Sequence, residues 1–302
     1  MFEILFKKKI FFYLLLIYYI SFNENQYEIC LCTVAKLENK YIQEFIDYYI
    51  GKGVDKIFIY DNNDINGENL NFLFSNPINK KFVEIINYRG KIRPQISIYR
   101  HCYNNNYKKY KWLLFYDIDE FIHVSAYSNI KDYLAQPKFI KCQSIYLNWN
   151  LHTDNDLFYY DNRSLFKRFP KVIQNKNFCI GKSMVRGNIK NIIIIRVHLL
   201  DFKLKRCDGF GQPIHINNIF CKIPDYKYNF IDHYIYKSTE EFSQKLNLKG
   251  DCLFNNDIKL KYKKIFEYFR DNKVNNDKIE YIAQKSGLNS TYIKLQLLQN
   301  NA

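Results

Sequence analysis
The sequence predicts an α/β fold, with a parallel sheet, crossover helices on its faces and Rossmann-like wiring. Three observations predict it. Between residues 27 and 116, short apolar runs alternate with segments whose apolar residues recur at helical spacing. The last run before residue 117 is continuously apolar and aromatic, as expected of a strand covered on both faces. Two runs end in acidic clusters, "YDNND" at 60–64 and "YDIDE" at 116–120. In open α/β sheets, ligands bind outside the carboxyl ends of the strands.

The elements follow in order. "YEICLCTVAK" (27–36) reads as a buried strand. Residues 41–53 carry apolar side chains at 42, 45, 46, 49 and 50 and end in glycine, which predicts a helix. Strands are predicted at 54–64 and 82–90, and a helix opened by proline at 94–107. The strand Trp112–Tyr116 closes the alternating half. Further on, 144–152 and 191–200 read as strands. Residues 238–250 read as a helix with Ser238 at its N-cap, Glu241 three positions later and a terminal glycine. From 259 onward the chain reads as helical and basic. The expected division is 1–26 as an N-terminal anchor or signal with a short linker, 27–256 as one catalytic domain and 257–302 as a basic helical tail.

The chain has 302 residues, 47% of them hydrophobic, enough to bury a large core. Lys far outnumbers Arg, and Asn, Ile and Tyr recur throughout, so any single Asn, Lys or Tyr carries little weight. A net charge of +15 suits anionic partners such as phosphates or acidic headgroups. The lysines are dispersed, and neither a zinc-finger spacing nor an aromatic RNA-binding signature occurs, so nucleic acid is not an expected partner. None of the 8 cysteines forms a C-x-x-C pair, which argues against a structural zinc site. Cys30 and Cys32 share one face of the first strand and are expected in the core; the others could pair in an oxidising compartment.

Lys7, Lys8 and Lys9 precede "IFFYLLLIYYISF". This run of about a dozen apolar residues falls short of the ~20 that span a bilayer. A basic stretch before a short apolar one is the pattern of a secretory signal, yet no small-residue cleavage site follows. The expectation is a single-pass signal anchor in the membrane with an ER/Golgi-type lumenal catalytic domain. A cleaved signal with a secreted product, or a cytoplasmic protein, are the alternatives. Sequons at Asn162 and Asn289 are compatible with a lumenal domain.

The chemistry concentrates in "KWLLFYDIDEFIHV" (111–124). Along an extended chain Asp117 and Asp119 fall on one face, with Ile118 opposite. Two such carboxylates repel unless a cation lies between them, and a divalent metal takes oxygen ligands readily. A solvated turn is the competing reading. A glycosidase pair is disfavoured, because acids this close do not straddle a sugar.

An ordered set of segments carries a resemblance. These are "CTVAKLENKYIQEFIDYYIGKGVDKIFIYDNND", Gln95 in a helix, "WLLFYDIDEFI", "GKSMV", a His-ended strand and "DHYIYKSTEEFSQKLNLKG". Together, over roughly residues 28–250, they resemble glycosyltransferase family 92 and the family-2-like glycosyltransferases. The resemblance implies a GT-A fold with a mixed, mostly parallel sheet and flanking helices. It implies transfer of a sugar from a nucleotide-sugar donor, first of all a UDP-sugar, to a glycan or other hydroxyl acceptor, with inversion. It also implies a divalent metal, Mn2+ or Mg2+, which offsets charge growing on the leaving diphosphate.

On that resemblance Asp119 ligates the metal, Asp117 holds ribose or metal-bound water, and His233 supplies a further ligand. Lys36 and Glu38 lie near the base, Asp61 faces the nucleotide, and Lys182 and Ser183 approach a phosphate. Trp149 is a candidate platform for a sugar face, or core, and His198 is acceptor-lining, or strand-end packing. Inversion needs a carboxylate to take the acceptor proton. Glu120, Asp154 and Asp156 are the candidates, and sequence does not choose among them. The family's K-N-E is K-L-E here, with Leu37, which bears on the base contacts; Phe45 and Lys249 are milder departures. A metal-dependent nucleotidyltransferase and an inactive glycan-binding relative are the rival readings, the second opposed by the intact D-x-D and late His.

Overall fold
The computed structural model describes residues 27–173, 180–214, 227–248 and 258–300. The apolar run 10–22, Cys179, Cys221, Cys252 and the Lys249-Gly250 end of the predicted helix lie outside the described residues. Among the described residues no helix is long and apolar enough to cross a membrane.

Strands β1 (Tyr27–Ala35), β2 (Lys56–Asp61), β3 (Val83–Asn87) and β4 (Tyr110–Phe115) form a parallel half-sheet in the order β3-β2-β1-β4. Helices α1 (Ile42–Gly51), α2 (Pro77–Phe82) and α3 (Gln95–Asn106) make the crossovers. Side-chain alternation along β1 explains its unbroken apolar run. Ile29 and Leu31 join the core under α1, while Cys30 and Cys32 join the opposite core under α3. Helix α1 buries Ile42, Phe45, Ile46 and Tyr49, a stripe at helical spacing.

Beyond β4 the sheet becomes mixed. The path continues β4-β7-β6-β9-β5, through β5 (Glu120–Val124), β6 (Ser144–Leu151), β7 (Gly181–Arg186) and β9 (Asn229–His233). Strand β7 is antiparallel to both β4 and β6, β9 is parallel to β6, and β5 is antiparallel to β9. A two-residue strand, β8 (Arg206–Cys207), pairs with β6. Two short helices, α4 (Ile130–Leu134) and α5 (Leu165–Arg168), flank this half. Gly181 is required where β7 starts, since a Cβ there would lie 1.8 Å from the carbonyl oxygen of Leu147.

Three expectations need correction. Residues 191–200 are not a strand; they form a loop with a single bridge between Arg196 and Leu200. The slot beside β4 is taken by β7, so the segment caps the core with Ile194 and Leu200 and leaves Ile193 and Ile195 exposed. Asp117–Asp119 is a turn between β4 and β5, closed by the Glu120 amide donating to the Asp117 carbonyl (3.0 Å), not an extended strand end. Cys32 is in the core as expected, yet it is paired, where pairing was expected of the other cysteines. It bonds to Cys102 and ties β1 to α3, a second disulfide joins Cys142 to Cys207, and Cys30 stays a buried free thiol.

The region from 258 is helical as expected, with α7 (Ile258–Asp271), α8 (Asn276–Ser286) and α9 (Ser290–Asn300). These helices dock onto the preceding α6 (Thr239–Leu248). Phe242 and Leu246 of α6 share a core with Ile265, Tyr268, Ile282 and Ile293. Below them Lys278 of α8 is buried against Asp154 (2.6 Å), whose carboxylate also accepts from Tyr268.

Candidate functional site
A cavity of about 370 Å³ opens at the carboxyl ends of β1, β2 and β4. Its place is the switch point where the chain leaves β1 for β2 on one side and β4 pairs on the other. Val34 lines it from the end of β1, Lys36 and Glu38 from the loop that follows, and Asn62 and Asp64 from the loop after β2. The loop 90–95 before α3 supplies a third wall, Asp117 and Asp119 a fourth, and His233, Ile235 and Lys245 close the far side.

The two acids of the D-x-D face different partners. Asp117 accepts from the Gln95 amide (2.9 Å) and from the Lys182 ammonium (2.8 Å). Lys182 is itself buried on β7 and lies 3.6 Å from Glu120, whose other oxygen accepts from the Asp117 amide. Burial works against the charge on Lys182, but Asp117 and Glu120 outweigh it and raise its pKa. Glu120 is fully buried, and desolvation, opposed by Lys182 and aided by Asp117, pushes its carboxyl well above the usual range.

Asp119 is buried among other groups. Its Oδ1 lies 3.5 Å from Nε2 of His233, and its Oδ2 lies 3.3 Å from Lys245 and 3.9 Å from Lys237. Burial alone would raise its pKa; Lys245, His233 and Lys237 hold it well below the usual carboxylate range. Burial lowers His233 despite Asp119, which favours the neutral imidazole that ligates metals. Lys237, at φ 57°, sits 3.8 Å over the Tyr41 ring and 3.6 Å from Glu38. Burial, opposed by Asp119 and aided by Lys245, brings Lys237 down to about 8.

Asp119 and His233 have the geometry of a two-ligand pair. A separation of 3.5 Å between Oδ1 and Nε2 fits two groups each about 2.1 Å from one cation; Nδ1 of His233, the ring nitrogen that orients a ligating imidazole, is buried with no hydrogen-bond partner among the described residues. Asp117 does not complete such a site, because its oxygens are engaged by Gln95 and Lys182. Among the described residues no cluster of three His, Cys, Asp or Glu side chains is poised for a metal.

The remaining predicted residues divide. Lys36 lines the cavity while pairing with Asp64 at 3.0 Å, and Glu38 lines it beside Lys237. Asp61 does not reach the cavity; Arg89 and Asn63 take its oxygens, and its neighbours Asn62 and Asp64 line the wall instead. Lys182 and Ser183 are also off the cavity, since Lys182 is spent on Asp117 and Glu120 and Ser183 donates to the His198 carbonyl (2.8 Å).

Trp149 is buried between His233 and His198, with ring centroids 4.3 and 5.2 Å away, and neither it nor His198 lines the cavity. Of the three base candidates, Glu120 lies beneath the D-x-D. Asp154 and Asp156 face Lys278, at 2.6 and 3.5 Å, and fasten the C-terminal helices. None of the three lines the cavity. Sequence reasoning missed Lys237 and Lys245, both inside "HYIYKSTEEFSQK", because their approach to Asp119 spans more than a hundred residues of chain.

The model of the family described as glycosyltransferase family 92 matches residues 25–285. A family 92 protein of Ricinus communis is 28% identical over 109 residues, 36% of this chain and 19% of the relative. One of Oryza sativa subsp. japonica is 31% identical over 111 residues, 36% of this chain and 18% of the relative. The matched stretches thus span about a fifth of those relatives' length. Among solved structures, S. aureus TarS 1–349 in complex with UDP-GlcNAc aligns at 12% identity and a TM-score of 0.38, covering 86% of this chain and 81% of that chain.

Proposed function
The chain belongs to glycosyltransferase family 92, and from that premise we propose that it transfers a sugar from a nucleotide-sugar donor, first of all a UDP-sugar, to a hydroxyl of a glycan or similar acceptor, with inversion. The observation that carries this reading is the cavity at the ends of β1, β2 and β4, with Asp117, Asp119 and His233 in its wall. The acceptor oxygen forms the bond to the anomeric carbon, the electron pair of the breaking bond leaves on the diphosphate, and the acceptor proton passes to a base.

Asp119 and His233 would hold a divalent cation, Mn2+ or Mg2+, which supplies positive charge for the diphosphate when bound. Lys182 donates to one oxygen of Asp117 and orients it, and Gln95 fixes its other oxygen. Two disulfides suit an oxidising compartment, and the apolar run 10–22 enters the proposal as a membrane signal anchor.

Thermal unfolding of the full chain with UDP, GDP or CDP, each with and without manganese, tests the reading. One nucleotide should raise the melting temperature, more so with manganese. Ligand at about 100 times its Kd contributes roughly 2.7 kcal/mol. Asp119→Asn should keep a cooperative transition and lose the manganese-dependent part. Absence of a shift with every nucleotide would count against a nucleotide-sugar donor.

A further inference from the structure
We propose that Lys245 exchanges partners in this site, serving as the counter-ion of Asp119 in the metal-free protein and as a ligand of the donor diphosphate once a cation takes Asp119. The inference rests on the glycosyltransferase reading above.

Two lysines face one buried carboxylate, and they are not equivalent. Lys237 is held, its side chain 6% exposed, with its ammonium against the Tyr41 ring and Glu38. Lys245, on α6, has a side chain 30% exposed and lines the cavity together with Asp117, Asp119 and His233. Both lysines line a second cavity of about 280 Å³, but of the two Lys245 alone also lines the cavity at the D-x-D. Its ammonium presents donors to Asp119 Oδ2 and to the Ile235 carbonyl, both at 3.3 Å.

Lys237 and Lys245 already place two ammonium groups within 3.9 Å of Asp119 Oδ2. A divalent cation between Asp119 and His233 would add positive charge there and repel the adjacent ammonium. A diphosphate in the cavity then offers Lys245 the oxygen acceptors it gives up at Asp119. Lysine suits this exchange, being a compact charge on a flexible stem.

The test measures two affinities of the full chain, for wild type and Lys245→Gln. One is manganese alone, followed by the electron paramagnetic resonance of free Mn2+; the other is UDP at saturating manganese, by calorimetry. In Lys245→Gln manganese should bind several-fold tighter, since its competitor for Asp119 is gone. UDP should bind about tenfold weaker, the scale of one charge-assisted hydrogen bond.

Lys245→Arg should recover part of the UDP affinity, and Lys294→Gln, a surface charge on α9, should leave both values unchanged. Unchanged UDP affinity in Lys245→Gln would overturn the exchange while leaving the glycosyltransferase reading intact. Loss of both affinities together would overturn it in favour of a structural role. If wild type binds none of UDP, GDP and CDP with or without manganese, the parent reading fails and the exchange with it.

Discussion

Between Asp117 and Glu120 the ammonium of Lys182 sits 2.8 and 3.6 Å from the two carboxylates, with its own side chain 1% exposed. This resolves the repulsion that a strand ending in clustered acids would otherwise suffer, without requiring a shared metal for both acids of the D-x-D. Lys182→Met should destabilise the fold by about 1–3 kcal/mol, because it removes the charge-assisted hydrogen bond to Asp117, itself 35% exposed, and the cation beside the buried Glu120. Urea unfolding of the variant would check this, and a loss under about 1 kcal/mol would mean that the acids find other partners. Asp117, Asp119 and His233, drawn together by motif order, share one cavity wall. Lys182 was readable as a motif member, but its partner was not, because β7 reaches Asp117 only through the antiparallel insertion beside β4.

β1, β4, α1 and α3 were legible because each carries its own periodicity. β5, β7 and β9 were not, because their residues are short mixtures such as "GKSMVR" and "NFIDH" whose pairing is decided by distant strands. The run "NIIIIRVHLL" shows the converse, an apolar segment left out of the sheet, the place beside β4 being taken by β7. The C-terminal helices hold to the body through Lys278, 1% exposed, and Asp154, 0% exposed. Lys278→Met should cost about 3–5 kcal/mol and release α7–α9 first. Hydrogen exchange should accelerate in residues 258–300 before the β1–β4 half, whereas uniform acceleration would show that the helices and sheet unfold as one unit.

At the scale of the whole molecule, stability should depend on pH through buried imidazoles. Burial, with Lys182 nearby, pulls His198 down to about 4. The unfolded chain takes up a proton near pH 6.5 that the folded one refuses until about 4. The contribution is therefore fully present above pH 6.5 and is lost as pH falls towards 4. The loss is about 3 kcal/mol from this residue, and His233 is shifted in the same direction. Denaturant midpoints between pH 7 and 4 should fall for wild type and fall less for His198→Gln; parallel curves would remove His198 as the cause.

The sequence by itself determined the alternating half of the sheet, the site of the cavity at its carboxyl rim, the D-x-D with its late His, and the resemblance to family 92. Those features are local, written in apolar periodicity and in short acidic strand ends. Tertiary structure alone decided that the D-x-D is a turn, that Asp61, Lys182 and Ser183 lie behind the wall, and that Asp154 and Asp156 fasten helices. It also decided that Lys237 and Lys245 meet Asp119. Charge partners across such chain separations are selected by burial, since a carboxylate withdrawn from water must find whichever cation the fold brings within reach, and no local pattern names that cation.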